Sequence, residues 1–170
     1  MAQPKLQLPL PFEQILRRHE REIMRYLLRA SGDRDDAADL FQETWLRAYR
    51  AYPRLEADRE IRPWLYAIAV NLCRNRARDG ARRMRVIVGD DQQNSAAKQT
   101  GKTSHNENEG YATVRLGELI SALPERQREA LQLRYFAGLD YPEIAEIMKC
   151  SQPAARANVS QALRKLKSRW

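Results

Sequence analysis

Arginine and asparagine side chains are concentrated in residues 71–85, where their chemistry suits contact with a nucleic acid. If this stretch is helical, Asn71 and Asn75 lie one turn apart and share a face. The arginines here are Arg74, Arg76, Arg78, Arg82, Arg83 and Arg85, with Asp79 as the one acid. Guanidinium groups bind phosphates, and amides hydrogen-bond base edges. Six arginines are more than is needed to offset the dipole at the C-terminal end of a helix. The pattern therefore favours contact with phosphates over an ordinary solvated helix.

The charge of the whole chain points the same way. The 170 residues include 30 Lys and Arg against 22 Asp and Glu, a net charge of +8. Such a balance favours a polyanionic partner, either nucleic acid or an anionic membrane. No apolar run is long enough to span a bilayer, and the prolines at 4, 9 and 11 indicate an irregular arm rather than a signal peptide. We therefore expect a cytoplasmic protein without membrane insertion.

The residues that usually carry catalysis or bind metals are isolated in this chain. Cys73 and Cys150 have no Cys or His at metal-ligand spacing, and His19 and His105 stand alone. No glycine-rich phosphate loop occurs, and no serine has a His and Asp context. The sequence therefore predicts no catalytic residue, no metal site and no cofactor, and two reduced thiols in apolar helices.

Apolar residues recur at helical spacing on both sides of a polar segment, and alternating strand patterns are nearly absent. We predict an all-α protein with two small helical domains joined by a flexible linker, the C-terminal domain being a helix-turn-helix. The predicted parts are an irregular arm at 1–11, a helical domain at 12–85, the linker at 86–111 and a second domain at 112–170. In the first domain, helices are expected at 12–30, 34–50 and 61–80, with Asp33 as an N-cap.

The predicted helix at 34–50 has two distinct faces at about 100° per residue. The core face holds Ala37, Leu40, Phe41, Thr44, Trp45 and Ala48. The opposite face holds Asp36, Asp39, Gln42, Glu43, Leu46 and Arg50. A solvated face is the simplest interpretation, but an apolar Leu46 ringed by polar residues is typical of a protein–protein contact.

The C-terminal stretch carries clear signals for helix starts and stops. Pro124 begins one predicted helix and Gly138 ends it; Asp140 and Glu143 form a capping box; Ser151 caps a last helix that is basic from residue 156 onward. Short helices, a tight turn and a basic final helix are typical of a DNA-binding helix-turn-helix. A small helical bundle with a cationic tail is the alternative.

Three segments together resemble the sigma-70 family of bacterial transcription initiation factors, extracytoplasmic-function type. DDAADLFQETWLRAY at 35–49 resembles the family's polymerase-binding helix. RPWLYAIAVNLCRN at 62–75 is similar to its promoter-melting and −10 recognition helix. The segment from LPERQREAL through GLDYPEIA, within 123–145, resembles its −35-binding domain.

The resemblance implies a non-enzymatic factor that binds core RNA polymerase, directs it to −10 and −35 promoter elements and assists melting. It also implies an anti-sigma factor as inhibitor. The residues expected to dock on the coiled coil of the largest polymerase subunit are Asp36, Asp39, Gln42, Glu43 and Leu46. Those expected at the −10 element are Asn71, Arg74, Asn75, Arg78, Arg82 and Arg83. Those expected at the −35 element are Arg126, Arg128, Lys149, Ser151, Gln152, Arg156, Ala157, Ser160, Gln161 and Arg164.

The C-terminal segment departs from the family pattern at two places. The recognition helix begins PAARAN at 153–158 where the family has a more basic segment, and Lys149 occupies the usual turn glycine. These differences affect the prediction of which −35 sequence the domain prefers, and they leave the predicted mode of DNA binding unchanged. Two other functions remain open on sequence grounds: a free-standing helix-turn-helix regulator that does not bind polymerase, and an interaction protein that does not bind DNA.

Overall fold

The computed structural model describes residues 10–56, 58–88 and 107–170, and the side chains of 83–88 and 107–113 are excluded from the description. Within these ranges the elements are helical and no strand occurs. The helices are α1 (Phe12–Ser31), α2 (Arg34–Ala51), α3 (Ile61–Val88), α4 (Glu107–Ser121), α5 (Glu125–Tyr135), α6 (Tyr141–Met148) and α7 (Gln152–Arg169), with a short 3-10 turn at Tyr52–Arg54. The predicted all-α fold is confirmed.

Helices α1, α2 and α3 pack on one another to form the N-terminal domain. The predicted N-cap is confirmed, because the Asp33 carboxylate accepts a hydrogen bond from the Asp36 backbone N–H at 2.9 Å. The predicted core face of α2 is also confirmed, with Ala37, Ala48 and Thr44 fully buried and Trp45 6 % exposed. Leu65 is fully buried on α3, and its truncation to alanine would cost about 2–5 kcal/mol.

Helices α5, α6 and α7 form the helix-turn-helix, with α4 packed against α7. The predicted capping box is confirmed at both of its hydrogen bonds: Asp140 accepts from the Glu143 N–H at 2.9 Å, and Glu143 accepts from the Asp140 N–H at 2.6 Å. Ser151 caps α7, as predicted. Gly138 lies three residues after the end of α5 with a φ of 67°, so it belongs to the turn between α5 and α6.

The turn between α6 and α7 needs a left-handed residue, and that residue is Lys149. Its φ is 52° and its ψ is 55°, a conformation that glycine adopts without strain and other residues rarely adopt. The Cys150 N–H donates to the Ala145 carbonyl at 2.9 Å and closes the helix end. Lys149 therefore replaces the usual turn glycine, and the turn keeps its left-handed backbone conformation.

The two domains are in contact through α3 and α6. A continuous apolar core contains Leu65 and Val70 from the N-terminal domain together with Ile144 and Met148 from the C-terminal domain. The helices also reach into both ends of the predicted linker, since α3 ends at Val88 and α4 begins at Glu107. The predictions for the arm at 1–9 and for residues 89–106 lie outside the described residues.

No helix in the described part of the chain combines the length and apolar composition that a membrane crossing requires.

Candidate nucleic-acid interface

The acidic face of α2 is exposed, but its carboxylates already have basic neighbours. The Arg76 guanidinium, from α3, lies 3.7 Å from Asp36 and 3.3 Å from Asp39. Arg47 donates to Glu43 at 2.6 Å. These are partly exposed pairs, which contribute little to stability and exchange readily with other partners. These ion pairs therefore position the acidic side chains of α2 and leave them accessible to a basic partner.

An apolar strip runs along the same face and is longer than the sequence predicted. Leu46 is 43 % exposed, as expected, and Tyr49, one turn further on, is 61 % exposed. The Tyr49 ring is held by edge-to-face contact with Phe12, at a centroid distance of 5.3 Å. Sequence reasoning missed Tyr49, although its three-residue spacing from Leu46 was a usable signal.

The basic half of α3 presents several predicted side chains to solvent. Asn71, Asn75, Arg78 and Arg82 are exposed. The Asn75 side-chain carbonyl oxygen accepts from the Arg78 guanidinium at 3.0 Å, and this bond does not use the two N–H donors of the exposed Asn75 amide. Arg83 belongs to α3, but its side chain lies outside the described residues.

Trp64, Leu65 and Tyr66 lie in the first half of α3 and belong to the core. Trp64 is 9 % exposed, and Leu65 and Tyr66 are at or below 1 %. The Tyr66 ring meets Tyr26 edge to face, with centroids 5.4 Å apart. Burial, helped by the nearby Glu22 carboxylate, raises the pKa of the Tyr66 hydroxyl well above its usual value.

Arg74 differs from the other predicted −10 residues because it faces the C-terminal domain. Its Nε donates to Glu129 Oε2 of α5 at 2.9 Å, and a terminal nitrogen donates to the other carboxylate oxygen. Burial lowers the pKa of the Arg74 guanidinium, but the hydrogen bonds and charge of Glu129 outweigh burial and raise the pKa overall. Glu129 itself is only 8 % exposed, so the pair is nearly removed from water.

Helix α7 exposes the set of side chains that the sequence placed at the −35 element. Arg156, Ala157, Ser160, Gln161 and Arg164 are all exposed, while Ala155, Val159 and Ala162 are buried on the opposite side. The Arg156 guanidinium lies over the Tyr141 ring at 4.9 Å. Gln161 accepts from Gln127 of α5 at 2.8 Å.

The predicted phosphate contacts around the turn fall into two groups. Arg126 and Arg128 each donate to a backbone carbonyl, that of Met148 at 3.0 Å and that of Ser121 at 2.8 Å. Lys149, Ser151 and Gln152 are exposed at the turn and at the start of α7. The Ala154 N–H donates to the Ser151 hydroxyl at 3.3 Å and Pro153 has no N–H, so Gln152 offers a backbone donor at this helix start, a position that suits an anion.

Comparison with known families assigns both domains. Residues 15–83 match the family model described as Sigma-70 region 2, and residues 113–166 match Sigma-70, region 4. The RNA polymerase sigma-H factor of Pseudomonas aeruginosa is 30 % identical over 159 residues, covering 89 % of this chain and 81 % of the relative. The chain belongs to the sigma-70 family.

Further relatives place it among sigma factors of the extracytoplasmic-function (ECF) type. The ECF RNA polymerase sigma factor EcfG of Rhodopseudomonas palustris is 33 % identical over 145 residues, covering 83 % of this chain and 75 % of the relative. The sigma factor SigM of Bacillus subtilis, also named an ECF factor, is 28 % identical and covers 94 % of each chain.

Solved structures of sigma factors share the fold. The sigma factor RpoE of Bartonella quintana, in complex with the anti-sigma factor NepR, superposes with a TM-score of 0.74 at 22 % identity, covering 92 % of this chain and 94 % of that one. CnrH, in complex with the cytosolic domain of CnrY, gives a TM-score of 0.66 at 24 % identity, with 92 % and 85 % covered.

Proposed function

We propose that this sigma factor binds core RNA polymerase through the exposed face of α2 and directs the polymerase to promoters. The observation that carries the proposal is the order of features along one chain. An acidic helix face with an apolar centre is followed by a basic helix and then by a helix-turn-helix. Both family models match in that same order. The factor works by binding alone, without a catalytic step, and acts in the cytoplasm where polymerase and promoter DNA lie.

The polymerase contact rests on Asp36, Asp39, Gln42, Glu43 and Leu46, to which we add Tyr49. Leu46 and Tyr49 supply exposed apolar area at the centre, and the carboxylates form a polar rim around them. A basic helical partner, such as the coiled coil of the largest polymerase subunit, would exchange its own cations for Arg47 and Arg76. That exchange favours fast, charge-steered association.

The promoter contacts rest on two separate surfaces. Helix α3 would place Asn71 and Asn75 against the unpaired bases of the −10 element, with Arg74, Arg78, Arg82 and Arg83 on its backbone. Helix α7 would enter the major groove of the −35 element with Arg156, Ala157, Ser160 and Gln161, supported by Arg164. The phosphate contacts near the turn are assigned to Arg126, Arg128, Lys149, Ser151 and Gln152.

An anti-sigma factor is the proposed inhibitor. The support is the solved structure of the sigma factor RpoE, which is in complex with the anti-sigma factor NepR. Co-purification from the native host should recover the inhibitor with the full chain.

The test of the proposed function is a double charge reversal on α2. Asp39→Arg with Glu43→Arg should abolish co-purification with core polymerase, because both changes place cations against a basic partner. Their present ion pairs are partly exposed, so the circular dichroism spectrum and melting temperature should change little. A matched control is Glu13→Arg with Glu118→Arg, which makes the same net charge change at exposed sites elsewhere and should leave binding intact.

The same pull-down separates the proposal from the free-standing regulator. A wild-type chain that binds DNA specifically but never retains core polymerase would favour that alternative. Normal binding by the α2 double variant would refute the docking face while leaving the family assignment in place.

A further inference from the structure

The exposed face of α7 carries one large polar side chain, Gln161, that could present either a donor or an acceptor to DNA. Its neighbour Arg156 can only donate, and Ala157 has no polar group. The amide of Gln161 has an acceptor oxygen and a donor nitrogen on different sides of one planar group. Which side meets a DNA base therefore depends on what holds the amide.

Gln127 of α5 determines that orientation. Its Nε2 donates to Gln161 Oε1 at 2.8 Å across the contact between α5 and α7. Because the amide is planar, engaging its oxygen turns its nitrogen away from α5. No hydrogen bond among the described residues uses the N–H groups of Gln161, and the side chain is exposed. Gln161 therefore presents donors to solvent and keeps its acceptor on the protein side.

The amide of Gln127 is itself held in one orientation. Its Oε1 is buried and has no hydrogen-bond partner within the described part of the chain. Turning the amide over would place its N–H donors in that position, so buried donors would lack partners where now one oxygen does. The observed orientation is the less costly of the two, and it keeps Gln127 as a donor toward α7.

The packing of α5 on α7 fixes the separation of the two amides. Leu131, which lies one helical turn after Gln127, is 4 % exposed, and Ala162, next to Gln161, is fully buried. Together with Leu123 they form one apolar cluster. The hydrogen bond between the amides is therefore positioned by the core of the helix-turn-helix.

A donor at this place on α7 distinguishes among the base edges of the major groove. Guanine presents two acceptors there, thymine and adenine present one each, and cytosine presents a donor alone. A glutamine that is free to use both of its groups pairs with adenine. With its oxygen engaged by Gln127, Gln161 instead suits guanine best and cytosine least.

We propose that Gln127 is a specificity-determining positioning residue, which fixes the amide of Gln161 so that Gln161 reads guanine at one position of the −35 element. The inference deepens the proposed function and rests on it, because Gln161 must face the bases of that element. Gln127 acts through Gln161 and needs no contact with DNA.

The test is transcription by the full chain with core polymerase on a promoter library randomised through the −35 element, each promoter carrying a transcribed barcode. Sequencing the transcripts gives the preference for each base pair at each position. Gln161→Ala identifies the position that Gln161 reads, because the preference there should be lost. At that position the wild type should rank a G·C pair in one orientation first and the reversed pair last, about tenfold apart. The strand that carries guanine is then the contacted strand.

Gln127→Glu should reverse that ranking. A carboxylate only accepts, so it would take an N–H of Gln161 and turn the amide oxygen toward the groove. That oxygen suits the exocyclic amine of cytosine, and cytosine should replace guanine on the contacted strand. The added negative charge lowers the affinity for every promoter alike, so it does not change the ranking within one library.

Two matched variants separate the orientation of the amide from charge and from folding. Gln127→Lys keeps a donor at this position and should keep guanine first, although it changes the charge in the opposite direction. Gln127→Met cannot form the hydrogen bond, so Gln161 should use both of its groups and the preference should move to adenine. Methionine also replaces a buried oxygen that has no partner in the described residues, so the melting temperature should not fall.

The outcomes distinguish the inference from the proposed function. Guanine remaining first in Gln127→Glu overturns the inference and leaves the proposed function intact, and so does an A·T pair ranked first by the wild type. If Gln161→Ala alters no position of the library, the assignment of Gln161 to the −35 element fails together with the inference, while polymerase binding through α2 stands. A reversal in Gln127→Glu that Gln127→Lys does not share supports the positioning role.

Discussion

The two basic helices of this sigma factor differ in what their cations already contact. On α3, Arg74 is paired with Glu129 of the other domain, and Arg76 lies close to Asp36 and Asp39. On α7, Arg156 lies against the Tyr141 ring, and its neighbours Ala157 and Ser160 are open to solvent. The named α7 side chains are therefore open to solvent, whereas Arg74 and Arg76 of α3 lie against acidic groups of the same chain.

The difference shows that a basic composition does not by itself make a surface available. Both helices are rich in arginine or lysine, and both would favour phosphate on charge alone. Availability is decided by acids that are distant in sequence, since Glu129 lies 55 residues from Arg74. Substitutions on α3 and on α7 that have unequal effects will test this difference between the two helices.

The largest expected effect is on α3, from Asn71→Ala combined with Asn75→Ala. Each base-edge contact is worth about 1–3 kcal/mol, so losing both should reduce open-complex formation on the order of 100-fold. Reconstituted transcription with permanganate footprinting of the −10 region measures this directly.

The matched control for that variant lies on α7. Asn158→Ala changes the same residue type, but the Asn158 amide donates to its own helix at the Ala154 carbonyl, 2.9 Å away. It should leave open-complex formation nearly unchanged. Comparable losses in the two variants would mean that the α3 amides act on folding rather than on promoter bases.

A smaller effect is expected from Arg156→Ala on α7. Loss of one groove contact should weaken transcription by about tenfold on a promoter with a −35 element, and much less on a promoter that lacks the element. Lys165→Ala is the comparison, because nine residues along a helix place its side chain half a turn away from Arg156. Equal losses from the two substitutions would argue against base recognition by this face.

The smallest effect is on stability, at the turn that presents α7. Lys149→Gly should raise the free energy of unfolding by about 0.5–1 kcal/mol, because glycine adopts the left-handed conformation without strain. Lys149→Ala keeps that strain and should not stabilise the protein in thermal or urea unfolding.

The same two Lys149 variants also test DNA contact. Both remove the ammonium group, so both should weaken DNA binding to the same extent if Lys149 contacts a phosphate. Unchanged affinity in the pair would remove Lys149 from the −35 surface and leave its role in the turn.

Local sequence signals predicted the helices and their ends well. The Asp140–Glu143 capping box and the Ser151 cap depend on residues within one turn, and each was found as predicted. The predicted end of α3 at residue 80 is wrong, because Gly80 lies inside the helix. The helix continues to Val88, since a glycine in a helix interior costs only about 1 kcal/mol against alanine.

The site was predictable to the extent that it lies on one face of one helix. Periodicity alone predicted Leu46 on the surface and Trp45 in the core, and the structure has both there. Ala157 and Ser160 of α7 were expected on the DNA-facing surface from the family resemblance, and both are exposed. Periodicity could not identify Glu129 as a partner of Arg74, because the residue pattern along one helix carries no signal for a contact with another domain. The roles of these residues at polymerase and promoter stay predictions.

The sequence by itself determined the helices, their caps, the family and the chemical character of each surface, because these depend on residues close together along the chain. Only the tertiary structure decided which of those surfaces are open. The packing of α6 against α3 brings Glu129, Ala137 and Glu146 to three arginines of the N-terminal domain. Such contacts depend on how whole domains meet, and no local pattern encodes that.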